Sequence, residues 1–419
     1  MAVALSTVLE DAGTGRLSER RSEPAWLRAL RAEWARRAET DAWPTGSEEE
    51  WRRTKLDGLP RDGALLNDPP ATEYVIDPAW AARGVIFGSL GDAVRDHPDL
   101  VRAHLGQSRT AAPQAHFWAR SLATWTAGTF LYVPVGVVID EALTARTQLP
   151  AGEWSHFPHS LVVLERDASA TLLEEFSSPD GGATWYGGTT DLRLGEGARL
   201  RYASLQRLGD AAWQIGAQRA EVGKDAVLTL LDAEIGSAVT KMGLEVRMSG
   251  GGGTSRLLGI LAAGGAQRID INSTQDLLAS HTTSDLLYLA ALYDEAHASF
   301  YGLTRVRPEA KATSSYQECR NLLLSPLAGA EPIPVLEIET NDILRCGHGA
   351  TAGAIDPVQR FYAMSRGLPA DEAERMIVRG FFERVVAQID SEPIRARVLA
   401  ALAARIGSEE SDDSGEVAA

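Results

Sequence analysis

The sequence predicts a mainly β chain, a long stack of turn-and-strand coils between helical ends. Three observations carry this. The runs Asp191–Leu194 and Arg199–Tyr202 alternate polar and apolar residues on either side of a Gly195-Glu196-Gly197 turn, as strands with one buried face do. A turn, a small residue and then a strand recur at Asp167-Ala168, Gly197-Ala198, Asp225-Ala226, Gly253-Thr254, Glu295-Ala296 and Glu309-Ala310. Counted on the second residue of each pair, the steps are 30, 28, 28, 42 and 14, mostly near multiples of 14. Helical periodicity is confined to the two ends. Because no helical pattern separates the strands, a Rossmann-type sheet does not fit, and stacked coils or a large sandwich do.

The first region, residues 1–110, is charged and helical. Pro24 is placed to start a helix, and Leu27, Leu30 and Trp34 share one apolar face. Arg28, Arg31, Arg36 and Arg37 are expected on solvated faces. The cluster Glu48-Glu49-Glu50-Trp51-Arg52-Arg53-Thr54 is unusual, and composition does not explain it. The second region, 111–345, holds the coils, with Gly250–Gly253 as a turn between two of them and Ser315–Leu324 as a strand that ends at Ser325-Pro326. The third, 346–406, returns to helix. Asp356 and Pro357 form an N-cap and first turn, Phe361 and Met364 lie on one face, and Gly367 ends the helix. Met376, Ile377, Phe381, Val385 and Ile389 then form a stripe, followed by Ile394, Val398, Leu402 and Ile406. Residues 407–419 are acidic, have nothing to bury, and are expected to be a disordered tail.

Composition removes several functions. Of 419 residues, 57 are acidic and 41 basic, a net charge of -16 that argues against nucleic-acid binding. No apolar run approaches the roughly 18 residues of a membrane span. The segment MAVALSTVLEDAGTG turns polar before any long apolar core, so a cytoplasmic chain is expected. With 2 cysteines a disulfide framework is excluded. Phosphate-loop, nucleophile-elbow and His-Glu-x-x-His signatures are lacking, so the chain reads as a non-catalytic protein.

The sharpest chemical feature is Arg345-Cys346-Gly347-His348-Gly349-Ala350-Thr351. In an extended segment Cys346 and His348 project to the same side. Thiolate and imidazole both suit Fe²⁺ or Zn²⁺, yet two ligands do not fill a tetrahedral site, and a buried inert cysteine is the competing reading. Cys319 is the other thiol. His156 and His159 fit satisfied polar contacts, and His281 fits a strand facing a neighbouring coil.

These residues resemble a known family. The runs Leu336-Glu337-Ile338, Cys346–Gly353, Phe361-Tyr362 and Ser365-Arg366-Gly367 are similar to the SufB/SufD family of iron–sulfur cluster assembly proteins, and most similar to its SufD branch. Asn321–Ser325, Leu131–Val137, Glu23–Leu27 and Glu50–Thr54 resemble it too. The resemblance implies a right-handed parallel β-helix between helical regions, acting as a scaffold subunit of the SUF machinery. It implies a SufB-like paralogue and a SufC-like ABC-type ATPase as partners, and no nucleic acid or membrane; whether the chain alone forms a homodimer is left open by the sequence. Iron or a transient iron–sulfur cluster would be shared with SufB. His348 matches the histidine attributed to the SufD branch as a ligand or iron contact, and Cys346 the cysteine before it. Gly349 stands where SufB-like sequences carry glutamate. Cys319 falls near the acceptor cysteine of SufB. Met376, Phe381 and Val385 are the candidate ATPase-docking residues. Flavin has been associated with such assemblies, but no residue here marks a flavin site. The alternatives are a SufB-like sulfur-accepting scaffold and a β-helix polysaccharide lyase or hydrolase.

Overall fold

The computed structural model describes residues 11–61, 63–66, 70–107 and 115–406. The expected tail, 407–419, lies outside the described residues. Two sheets face one another. The first runs from Thr72–Val75 through Val138–Gln148, Ser169–Ser177, Arg199–Arg207, Val227–Glu234, Thr254–Ala263, Thr283–Leu292 and Thr313–Leu323 to Ile343–Ala354. The second runs from Ile86–Ser89 through Thr129–Val133, His159–Leu164, Thr189–Leu194, Ala212–Val222, Val239–Met248, Arg268–Leu277 and His297–Val306 to Gly329–Ile338. The chain alternates between them, and successive strands within each sheet are parallel except at the N-terminal ends. This is a β-solenoid of about 8 turns with helices at both ends.

The sequence spacing now has a cause. Arg199 pairs with Ser169 on one side and Val227 on the other, so the chain returns to the same sheet after 30 and 28 residues. The 14-residue step is half a coil, one strand and one turn. The small residues of the motif sit at corners facing inward, and Ala168, Ala198, Ala226, Ala296 and Ala310 are all fully buried in the core between the sheets. Asp167 and Asp225, just before, adopt positive φ, which Asp tolerates better than most residues. His281 also has positive φ and sits in a turn, not in the strand expected of it.

The helices cover opposite outer faces. At the N-terminal end come α1 (Asp11–Arg20), α2 (Ala25–Thr40), α3 (Leu90–Asp96), α4 (Pro98–His104) and α5 (Ala115–Thr124); α2 to α5 share a core of Leu27, Trp34, Leu90, Val101 and Trp118, whereas Leu17 of α1 is buried in a second cluster with Trp51 and Phe117. Arg31 is a correction to the solvated reading. It is completely buried, donates to Glu23 and to the carbonyls of Ala123 and Trp125, and lies 4.4 Å from the Trp125 ring. The unexplained Glu48–Thr54 cluster is a clamp. Trp51 is buried against Phe117 and Lys241, Thr54 donates to Asp270, and Arg53 bridges Glu49 and Glu331 on the last strand of the second sheet.

At the other end come α6 (Pro357–Ser365), α7 (Ala370–Val386) and α8 (Glu392–Ile406). The Asp356 carboxylate accepts from Val358 N at 2.8 Å, and Gly367 follows α6 with φ +98°. Helices α7 and α8 lie on the outer face of the first sheet, burying Val378, Phe382, Val385, Val398 and Leu402 against Leu231, Ile260 and Leu289. The strand Ile343–Ala354 carries β structure nine residues past the expected boundary at 345. Cys346 and His348 are therefore solenoid residues.

Candidate functional site

Strand Ile343–Ala354 is the last of the first sheet and pairs on one side only, with Thr313–Leu323. Its register places Cys346 beside Ser315 and His348 beside Gln317. Each belongs to a row that runs the length of the inner face. The row ending at His348 reads Leu143, Leu172, Tyr202, Leu230, Leu257, Leu286, Gln317. The row ending at Cys346 reads Leu200, Leu228, Ser255, Ser284, Ser315. Both start apolar and turn polar toward the open end. Hydrogen bonds join them: Ser255 to Ser284 at 2.7 Å, Gln275 to Ser284 at 2.7 Å, Thr304 to Gln275 at 3.2 Å, and Gln317 to Thr304.

Cys346 and His348 are thus neighbours on one strand, about 7 Å apart along the chain. Cys346 is half-buried against the solenoid core, whereas His348 is exposed. Burial raises the Cys346 thiol above its ordinary pKa. On the opposite side of the strand, Gly347 and Gly349 lie over the Tyr316 ring. A Cβ at Gly349 would meet the Tyr316 hydroxyl at 3.0 Å, and Arg345 caps the same ring at 4.2 Å. Among the described residues no three His, Cys, Asp or Glu side chains converge to hold a metal ion. The pair would hold iron only together with donors from another molecule.

Cys319 shares the inner face but lies one coil deeper, beside Ala350. From His348 it is about 8 Å away, and from Cys346 about 14 Å. It is buried, Asn321 donates to its sulfur at 3.7 Å, and desolvation pushes its thiol up to about 12.

The family profile described as SUF system FeS cluster assembly, SufBD core domain, matches residues 148–381. An iron–sulfur cluster assembly SufBD family protein of Mycobacterium tuberculosis is 30% identical over 370 residues, covering 86% of this chain and 88% of that one. The chain belongs to the SufBD family. Two Bacillus subtilis relatives are more distant. Iron–sulfur cluster assembly protein SufD is 24% identical, over 93% of this chain and 96% of its own length. Iron–sulfur cluster assembly protein SufB is 26% identical, over 74% and 67%. A scaffold role in SUF iron–sulfur assembly follows from membership. No helix among the described residues is long and apolar enough to cross a membrane.

The three docking candidates of this SufBD-family chain fall in different places. Val385 is fully buried in the helix–sheet core and Phe381 packs partly against it, whereas Met376 is exposed. The stripe is out of phase with expectation because the sheet takes up Val378, Phe382 and Val386. The exposed apolar surface is instead on α6, where Phe361 is 72% accessible and Val358, Tyr362 and Met364 are also exposed. Sequence reasoning also missed the interior polar rows. Their signal was present: Ser273 and Gln275 occupy inward positions two apart after Ile269 and Ile271. His156 and His159 are fully buried, with His159 Nδ1 at 2.8 Å from the Thr189 hydroxyl, and burial lowers both imidazoles to about 3.

Proposed function

We propose that this chain is a SufD-like, non-catalytic scaffold subunit of the cytoplasmic SUF machinery. It pairs end to end with a SufB-like paralogue and carries a SufC-like ABC-type ATPase on its C-terminal helices. The observation that carries this reading is the pairing of Cys346 and His348 at an end of the solenoid that no further coil covers. The cluster is cargo and must leave. Two protein ligands, completed across an interface, hold iron less tightly than a closed tetrahedral site would. Leu327, Ile338 and Leu344 are exposed at the same end, as apolar residues awaiting a partner would be.

Three features favour the SufD-like reading over the SufB-like one. The alignment with the Bacillus SufD runs nearly end to end. Gly349 replaces the glutamate of SufB-like sequences, and Tyr316 packs against that position. Cys319 is a poor sulfur acceptor, because the thiolate is the nucleophile and burial suppresses it. For the ATPase, the exposed face of Val358, Phe361, Tyr362 and Met364, extended by Met376, replaces the buried Val385 as the docking surface.

The test is to purify the chain with its paralogue and ATPase and to measure iron and acid-labile sulfide. His348→Ala and Cys346→Ser should each lower iron in an intact complex. Unchanged iron and sulfide in both variants would remove the assignment.

A further inference from the structure

Among the described residues, the buried Arg and Lys side chains are Arg31, Arg120, Arg219 and Lys241. Three of them have acids at hand. Arg31 lies 2.7 Å from Glu23, Lys241 2.8 Å from Asp270, and Arg219 4.0 Å from both Glu221 and Glu245. Arg120 is the exception. It stands on α5, is 7% accessible, and makes no ion pair among the described residues. The charge that acts on it is another cation, Arg61. Its Nε has no hydrogen-bond partner, and its Nη2 lies 3.4 Å from His116 Nε2. A guanidinium taken out of water without a counterion is strongly disfavoured.

The surroundings of Arg120 are aromatic and add positive charge. Its guanidinium carbon lies 5.0 Å from the centroid of the Trp43 ring and 5.6 Å from that of Trp185. Arg61, which is exposed, lies 4.4 Å from the same Trp43 ring and likewise makes no ion pair among the described residues. Cation–π contact offsets part of the desolvation but neutralises neither charge. His116 is no counterion. Burial first, and Arg120 second, lower its imidazole to about 4, so it is neutral. Its Nδ1 lies 2.9 Å from the Asp41 carbonyl, which fixes the proton there and leaves Nε2 to accept from Arg120. Both residues stand in the first two turns of α5, whose N-terminal end adds positive partial charge. In a chain of net charge -16, two cations without acids converge on one half-buried tryptophan.

We infer that Arg61 and Arg120 form an anion site beside Trp43, and that the site takes a phosphate group. A planar guanidinium presents paired N–H donors to phosphate oxygens, and arginine is favoured wherever such a group is bound. Arg61 supplies the solvent-facing donor by which the anion enters. Arg120 supplies the desolvated one, where attraction between opposite charges is strongest. Phosphate fits better than a carboxylate, because its charge of about -2 matches two cations. The site belongs to the N-terminal helices, away from Cys346 and His348, and the inference is independent of the scaffold reading.

Equilibrium dialysis of the full-length chain against radiolabelled inorganic phosphate tests this at low ionic strength. Wild type should bind a single phosphate, with an affinity that falls as salt rises. Arg61→Gln alters an exposed side chain, so it should melt like wild type while binding at least about tenfold more weakly. Arg120→Gln should lose at least as much affinity. Phosphate also stabilises proteins in general, by exclusion from their surface. The specific part is the rise in wild-type melting temperature beyond that of Arg61→Gln at the same phosphate concentration. Glycerol 3-phosphate, used in place of inorganic phosphate, separates the sources. Equal or weaker affinity identifies the free ion and tighter binding an esterified phosphate, and both uphold the site. No saturable phosphate binding by wild type, or wild-type affinity in Arg61→Gln, overturns the inference and leaves the scaffold reading standing.

Discussion

Cys319 and Cys346 are one coil apart, and that coil decides their chemistry. Cys319 is covered by the terminal strand and its thiol is pushed up to about 12, whereas Cys346 is only half-covered. Under native conditions near pH 8, iodoacetamide should modify Cys346 well before Cys319, read by mass spectrometry of the digested protein. Equal rates would mean that the end strand opens readily. At this scale the sequence was partly legible. The Cys346–His348 pair follows from two-residue alternation alone. Arg31 could not be placed the same way, because its pocket is assembled from Glu23, Ala123 and Trp125, and the last two lie about ninety residues away in the chain.

Among elements, the C-terminal helices divide between holding the fold and facing outward. Phe382 is buried between α7 and the first sheet, so Phe382→Ala should cost about 3 to 5 kcal/mol by denaturant unfolding. Phe361→Asp and Met376→Asp should leave unfolding within about 0.5 kcal/mol of wild type while weakening capture of the ATPase. Loss of stability in these two, with ATPase capture intact, would reverse the assignment. The helical stripe was visible in the sequence, but its phase was not. Met376, Ile377, Val378, Phe381, Phe382, Val385 and Val386 supply apolar residues around most of the helix, and only the outer face of the sheet selects among them. The strand at 346–354 was missed because Gly347, Gly349 and Gly353 weaken its alternation. The register with Thr313–Leu323 and the Tyr316 ring beneath the glycines supply what the local pattern lacks.

For the whole molecule, the solenoid and its helical ends were legible because each coil repeats the same corner chemistry. The half-coil period needed the register to be understood. Burial of neutral His156 and His159 ties overall stability to pH. The unfolded chain protonates these rings below 6.5, the folded chain only near 3, so stability falls as pH drops through that window. Each contributes up to about 1.4 kcal/mol per pH unit. Asp232, raised to about 6 by burial, opposes this by favouring the folded state below its folded pKa. His156→Gln with His159→Gln should therefore flatten the fall in unfolding free energy between pH 6 and pH 4, measured by urea titration. A slope unchanged from wild type would assign the acid sensitivity elsewhere.

The proposal that the open end of the solenoid contributes half of a transient iron site meets its most direct test in one quantity. That quantity is the iron content of the complex with the SufB-like paralogue and the ATPase, comparing wild type with His348→Ala at equal complex yield. The variant complex should assemble normally and retain clearly less iron and acid-labile sulfide. Equal iron and sulfide in the two complexes would contradict the shared site.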